Sequence, residues 1–345
     1  MNPVLVLGGG PAGLSAAGEL ASLGASAILV ERESYLGGNP KRWQYSLLAP
    51  DLKPAEEVMG PLLRKVEGNP RIEVRLSTTL AKADVVENGY RVTLRAAGTR
   101  EERDVSSVIV ATGFDHFDSR RKFEYGYGRY PDVLDFKEVE RMLHDDRVVR
   151  PSDGKPPKRI AWVLCVGSRD IQVGNPWCCR MGCVVSIKQA VEVRQKHPEI
   201  DAYVYYMDIR TYGLWEDLYW KSMQDYGVKF IRGRIGQITP AEGGSRLVAT
   251  GEDTILSRPT EVPFDMIVLA SGMEPSAGTK EVAALFGVPV GPEGFLTPRS
   301  SDLNPVDSGL PGLFYAGAAT GPKAIPDAIT EGMGAALRAF QHARG

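Results

Sequence analysis

Short, wholly apolar runs recur along the chain, most of them closed by glycine or an acidic residue. Residues 4–7, 27–30, 108–111, 160–166, 266–270 and 313–316 are of this kind, and 202–207 and 228–232 resemble them. Runs of four to eight without alternation read as strands buried on both faces, as in a parallel sheet. Helical spacing lies between them, at 14–23, 136–143, 184–195, 214–226 and 328–342. Gly24 supplies a stop for the first of these. Residues 72–76 and 90–94 read as further strands, and Asn88-Gly89 is a strong hairpin turn. The order strand, special turn, helix, strand occurs once near the N-terminus and again after Arg159. That repetition predicts an α/β protein of two related modules.

Length agrees, since 345 residues suggest two domains at about 150 each. The polar segment 151–158, with Pro and Gly, reads as the boundary. A first domain of 1–150 plus 275–345 and a second of 151–274 are expected. Net charge is −2, which disfavours nucleic-acid or polybasic membrane binding. No apolar run reaches the roughly 18–20 residues of a membrane span. Met1-Asn2-Pro3 lacks a basic region and a glycine triplet follows soon after, so no secretory signal is expected.

Gly8-Gly9-Gly10-Pro11-Ala12-Gly13 fits G-x-G-x-x-G between a strand and a helix. Gly8 allows the tight turn, Gly10 the approach of a pyrophosphate, and Gly13 close packing of helix on strand. The helix N-terminus offers unpaired N–H groups to the phosphates. Glu31, at the end of the next strand, is placed for ribose hydroxyls and disfavours a 2′-phosphate. Pro11-Ala12-Gly13-Leu14-Ser15-Ala16-Ala17, Val110-Ala111-Thr112-Gly113 and Leu313-Phe314-Tyr315-Ala316-Gly317 followed by a helix together resemble the thioredoxin reductase and flavoprotein disulfide reductase superfamily. The resemblance implies an α/β fold of two Rossmann-like nucleotide-binding domains and FAD, with Gly8, Gly10, Pro11, Ala12, Gly13, Glu31 and Arg32 at one end. Ala111, Thr112, Gly113, Gly317, Lys323 and Ile325 would complete its site. The superfamily has Asp where this chain has Ala318, so Thr320 or Lys323 is expected to take over part of the flavin contact.

No second glycine fingerprint follows the strand at 160–166, where the superfamily binds NAD(P)H. Instead all four cysteines of the chain, Cys165, Cys178, Cys179 and Cys183, fall within 19 residues, as C-x12-C-C-x3-C. An iron-sulfur cluster, a zinc site, a redox dithiol and four packed thiols all remain open on spacing alone. Four cysteines are too few for a disulfide scaffold.

The stretches Cys165-Val166-Gly167-Ser168-Arg169-Asp170, Gly174-Asn175-Pro176-Trp177-Cys178, Tyr206-Met207-Asp208-Ile209-Arg210 and Gly321-Pro322-Lys323 resemble the A-type flavoprotein subunit of heterodisulfide reductase. That resemblance implies a 4Fe-4S cluster on the four cysteines. One cysteine is moved relative to the methanogen pattern: here the order is Cys178-Cys179-Arg180-Met181-Gly182-Cys183. The C-x2-C-x2-C-x3-C runs of ferredoxin domains are absent. The chain is therefore similar to the short form found in the sulfur-oxidising heterodisulfide-reductase-like complex. The implied role is electron transfer in the cytoplasm with B- and C-type subunits, and through the complex with a lipoate-carrying protein, as a homodimer. The rival expectation is an NAD(P)H-dependent FAD disulfide reductase using a cysteine pair. Arg169 and Lys188 stand near the cysteines in sequence and are candidates to tune them, or else surface ion pairs.

Overall fold

In the computed structural model, which describes residues 2–244 and 246–344, the apolar runs are the strands of two parallel sheets. The first belongs to a unit of residues 1–42, 56–115 and 274–345. Its order is Leu313–Tyr315, Ser107–Val110, Val4–Leu7, Ala27–Val30, Ile72–Arg75, all parallel. Val4 and Val6 face one core with Leu14, Leu20 and Ala335, from the helices Pro11–Ser22 and Ile325–Arg344. Leu5 and Leu7 face the other, with Tyr90, Val92 and Leu94 of an antiparallel three-stranded sheet. Burial on both faces is why these strands show no alternation. The two helices cross closely: a Cβ on Gly332 would stand 2.3 Å from the Ala12 carbonyl oxygen.

The second unit comprises residues 43–55 and 116–273. Its sheet order is Val133–Asp135, Met266–Ser271, Arg159–Val166, Asp201–Tyr206, Lys229–Arg232, again parallel. Helices Phe136–His144 and Gly182–Lys196 cover one face, over Ile160, Trp162 and Val204. The antiparallel strands Ile235–Pro240, Leu247–Asp253 and Arg258–Phe264 supply Ile238 and Phe264 to the other, against Val163, Ile267 and Leu269. Each unit is thus a five-stranded parallel sheet with a three-stranded antiparallel one beside it.

The division between units differs from the expected boundary at 150. Residues 116–150 fold with the second unit, because Val133–Asp135 pairs in register with Met266–Ser271 and Phe136, Val139 and Leu143 enter its core. A strand of three residues is too short to read from periodicity. Residues 43–55 join the same unit. The helix expected at 14–23 begins at Pro11, and that expected at 214–226 divides into a 3-10 turn, Gly213–Trp215, and Glu216–Gln224. Among the described residues no helix is long and apolar enough to cross a membrane.

Lys188 is not on the surface. It is buried, with its Nζ donating to both Glu140 oxygens at 2.7 and 2.6 Å and standing 3.6 Å from Glu192. Ser46 Oγ donates to Glu192 Oε2 at 2.7 Å, tying segment 43–55 to this network. Gln189 joins Glu140, the Phe136 carbonyl and Trp162 Nε1. Breaking a buried pair leaves a charge without a partner, which costs far more than the pair itself contributes. Lys188→Met is therefore expected to destabilise the chain by about 3–5 kcal/mol. Lys229→Met, at an exposed pair with Asp201, should cost less than about 1 kcal/mol. Urea midpoints at constant m-value compare the two.

Candidate functional site

The turn after Val4–Leu7 is built where side chains do not fit. Gly8 has φ +111°, and a Cβ there would lie 2.3 Å from the Ala111 carbonyl oxygen. A Cβ on Gly13 would lie 1.8 Å from the Gly8 carbonyl oxygen, so the helix can close onto the strand only with glycine. Gly10 is different: the nearest atom to its Cβ position is Gly38 Cα, 3.8 Å away. The chain does not need glycine there for its own packing, so the open space is available to a ligand. Gly10 is the N-cap and no side chain caps it, while Pro11 at N1 has no N–H. The first turn thus keeps N–H groups and positive dipole for an anion.

Glu31 is buried and accepts from Gly9 N–H at 2.6 Å and Glu33 N–H at 2.8 Å, one bond on each oxygen. A carboxylate has about four acceptor sites, so ribose hydroxyls can still be taken. Arg32 is half-exposed, 3.5 Å from Asp115 and 3.7 Å from Glu33. Ala111 donates to the Leu7 carbonyl at 2.8 Å, which sets 111–113 beside Gly8. Thr112 is held by Thr279 at 2.7 Å and by Ser276, which donates to its carbonyl at 3.1 Å. Gly113 has φ +69°. Gly317 meets Ala12: its Cβ would be 2.8 Å from that of Ala12. Gly8, Gly10, Pro11, Ala12, Gly13, Glu31, Ala111, Thr112, Gly113 and Gly317 are therefore gathered at one end of the sheet.

Lys323 is not a surface lysine. Its side chain is largely buried, donates to Thr320 Oγ1 at 2.6 Å and stands 3.4 Å from Glu331. Glu331 also accepts from Gly317 N–H at 2.9 Å, and burial pushes its carboxyl above the usual range. Lys323 thus sits within a pair rather than as an isolated cation. Ile325 heads the last helix, half-buried. Sequence reasoning missed Glu331 and the Gly37-Gly38 doublet. Gly37 N–H donates to the Gly9 carbonyl at 2.8 Å, and Gly38, at φ +59°, packs against Gly10. The doublet itself was the available signal.

The cysteines lie at the corresponding place in the second unit, at the end of Arg159–Val166. Cys165 has φ +62°, where the register with Met266–Ser271 shifts between Val163 and Val166. Cys183 is the second residue of Gly182–Lys196. Each thiol feels others of the set. Cys178 is lowered to about 5, first by a hydrogen bond from the Cys179 thiol, with its own burial opposing and Arg180 N–H and Arg210 assisting. Arg180 N–H stands 3.3 Å from Cys178 Sγ. Cys179, buried and donating, is pushed well above the ordinary thiol value. Burial pushes Cys183 up to about 12, and it also raises Cys165. Arg169 pairs with Asp208 at 2.5 Å. Among the described residues no group of three or more His, Cys, Asp or Glu stands at metal-binding geometry. The donor chemistry nevertheless fits a thiolate-held group: four sulfurs, no imidazole, and a backbone N–H already on one sulfur.

A family model described as pyridine nucleotide-disulphide oxidoreductase matches residues 2–167. The chain is 43% identical over 244 residues to the A-type subunit of the H(2):CoB-CoM heterodisulfide,ferredoxin reductase of Methanothermobacter thermautotrophicus, covering 69% of this chain and 37% of that protein. An A-type iron-sulfur subunit of the CoB--CoM heterodisulfide reductase of Methanopyrus kandleri is 29% identical, with 98% of this chain and 63% of that protein covered. The chain thus spans well under two thirds of the length of most relatives it matches. Thioredoxin reductase from T. acidophilum has the same fold, with TM-score 0.68 at 14% identity over 100% of this chain and 99% of that one. The chain is a homologue of the A-type subunits of heterodisulfide reductase, with a thioredoxin reductase-like fold.

Because the Gly10 Cβ position is open, Gly10→Val should leave the fold intact while blocking the pyrophosphate. The expected result is at least tenfold less FAD retained on purification, with unchanged circular dichroism and urea midpoint.

Proposed function

We propose that this homologue of the heterodisulfide reductase A-type subunits is an FAD- and 4Fe-4S-carrying electron-transfer component of a heterodisulfide-reductase-like complex in cytoplasmic sulfur oxidation. The observation that carries the proposal is the contrast between two equivalent turns. One is a glycine cradle under a helix N-terminus; the other, lacking a glycine fingerprint, holds every cysteine of the chain. When bound, FAD supplies one- and two-electron exchange and a 4Fe-4S cluster supplies one-electron exchange.

The residues have distinct tasks in this reading. The first turn of Pro11–Ser22 binds the pyrophosphate, and Gly10 keeps its approach open. Glu31 orients the ribose and, through Gly9, the turn itself. The Lys323–Glu331 pair places compensated charge beside Gly317. Cys165, Cys178, Cys179 and Cys183 give up their protons on ligation, which couples loading to pH. Arg180 N–H and Arg210 offset thiolate charge at Cys178, and Arg169 does so at Cys165. Hydrogen bonds to sulfur and nearby cations raise a cluster's potential. B- and C-type subunits, a lipoate-carrying protein reached through them, and a homodimer complete the proposal.

The rival NAD(P)H-dependent disulfide reductase lacks support at the second turn, where no glycine fingerprint follows the strand. Chain purified without oxygen is expected to carry one FAD, about four iron and about four sulfide. Each single Cys→Ser change should remove most of the iron and leave FAD in place. Zinc without iron would overturn the cluster, and bleaching of the flavin within seconds by NADH or NADPH alone would favour the rival.

A further inference from the structure

Between Cys165 and Cys178 the chain makes a closed excursion. Its throat is clamped by Arg169 N–H on the Trp177 carbonyl at 2.8 Å and by the Asp170–Asn175 bridge, with bonds of 2.8 and 3.0 Å. Asn175 Nδ2 donates to the Gly167 carbonyl at 2.9 Å. Apolar packing holds the excursion only in part: Val173 packs against the core of the second unit, but Ile171, at its tip, is 83% exposed. Charge anchors it as well. Asp170 is 2% exposed, and its Oδ2 stands 2.9 Å from both Lys122 Nζ and Arg234 Nη2. Lys122, itself 4% exposed, also pairs with Glu124 at 2.7 Å. The node therefore draws on three places in the sequence, with Arg234 64 residues beyond Asp170. The Lys122 segment also contacts the excursion through Arg121, which donates to the Val173 carbonyl at 3.0 Å.

A buried ionic node of this kind adds little net stability, because desolvation offsets attraction. Its geometry, however, is specific, since any displacement leaves a buried charge unpaired. We infer that Lys122, Asp170 and Arg234 are positioning residues that bring Cys178 back beside Cys165, fixing the separation of two of the four sulfurs. None of the three need touch a bound group for this. The inference rests on the proposed cluster only for its consequence; the placement of the two thiols stands without it.

The test uses Lys122→Met, which removes the central cation at similar length, Lys122→Arg, which restores it, and Arg234→Gln, which removes the outer cation of a half-exposed side chain. In the metal-free chain, alkylation of Cys178 by iodoacetamide is read residue by residue by mass spectrometry. In chain purified without oxygen, iron and the electron paramagnetic resonance g-values of the reduced form are read. Lys122→Met should alkylate at Cys178 at least fivefold faster, with FAD content unchanged. Iron should fall by half or more, or the g-values shift; Arg234→Gln should do the same to a smaller extent, and Lys122→Arg should restore both readouts. Unchanged alkylation in both Lys122→Met and Arg234→Gln overturns the positioning role. If Lys122→Met does not fold, Arg234→Gln alone decides. A wild-type chain without iron, whose Cys178 is still exposed by the variants, overturns the cluster and leaves the positioning role supported.

Discussion

A side chain on Gly13 would reach within 1.8 Å of the Gly8 carbonyl oxygen, and one on Gly8 within 2.3 Å of the Ala111 carbonyl oxygen. The helix Pro11–Ser22 can therefore sit on its strand only because two side chains are missing. That close approach aims the helix N-terminus along the end of the sheet and sets the distance at which an anion meets it. Glu31 locks the same turn from the other side through Gly9 N–H. The 111–113 turn and Gly317 then fall around it, since Ala111 bonds to Leu7 and Gly317 packs on Ala12. Once the backbone has closed in this way, little freedom remains for the rest of the cradle.

The second unit repeats the strand order but differs in the turn after its central strand. Cys165 takes the left-handed conformation there at φ +62°, which a non-glycine residue adopts at a cost. Gly167 comes next at φ +69°, where a Cβ would collide with the Phe117 ring at 2.0 Å. The turn is again crowded, but here by an aromatic ring rather than by a helix, and the chain leaves as a long excursion before Gly182–Lys196 begins. That helix has no acid in its first turn, and Cys183 occupies its start. The dipole of that helix start works against the burial that pushes the Cys183 thiol up to about 12.

How much of this was legible depends on the kind of signal each part leaves. The parallel strands were legible because burial on both faces erases alternation, and Gly8 and Gly13 because a helix closing onto its strand demands glycine at fixed spacing. The four cysteines were legible as a cluster because they are every cysteine of the chain. The extent of the second unit was not, since Val133–Asp135 is a strand by virtue of its neighbour Met266–Ser271 alone. Lys188 looked like a candidate to tune the cysteines, but its partners are Glu140 and Ser46, far away in sequence, which proximity along the chain does not report. The Lys323–Glu331 pair was not legible, because Glu331 lies further along the last helix rather than beside Lys323.

The two sites thus call for different kinds of support. A site made of backbone N–H groups is held by the backbone, so its determinants are local and few. A site made of side-chain sulfur must fix the parts of the chain that carry each sulfur, and those parts are joined by a polar excursion with almost no core of its own. Apolar packing tolerates sliding by fractions of an ångström, because it is non-directional. A carboxylate at 2.9 Å from two cations does not, because each contact is directional and both Asp170 and Lys122 are out of water. Burying Asp170 and Lys122 is thus an expensive way to stabilise a loop and an effective way to place it, and the excursion that ends at Cys178 is where placement matters most.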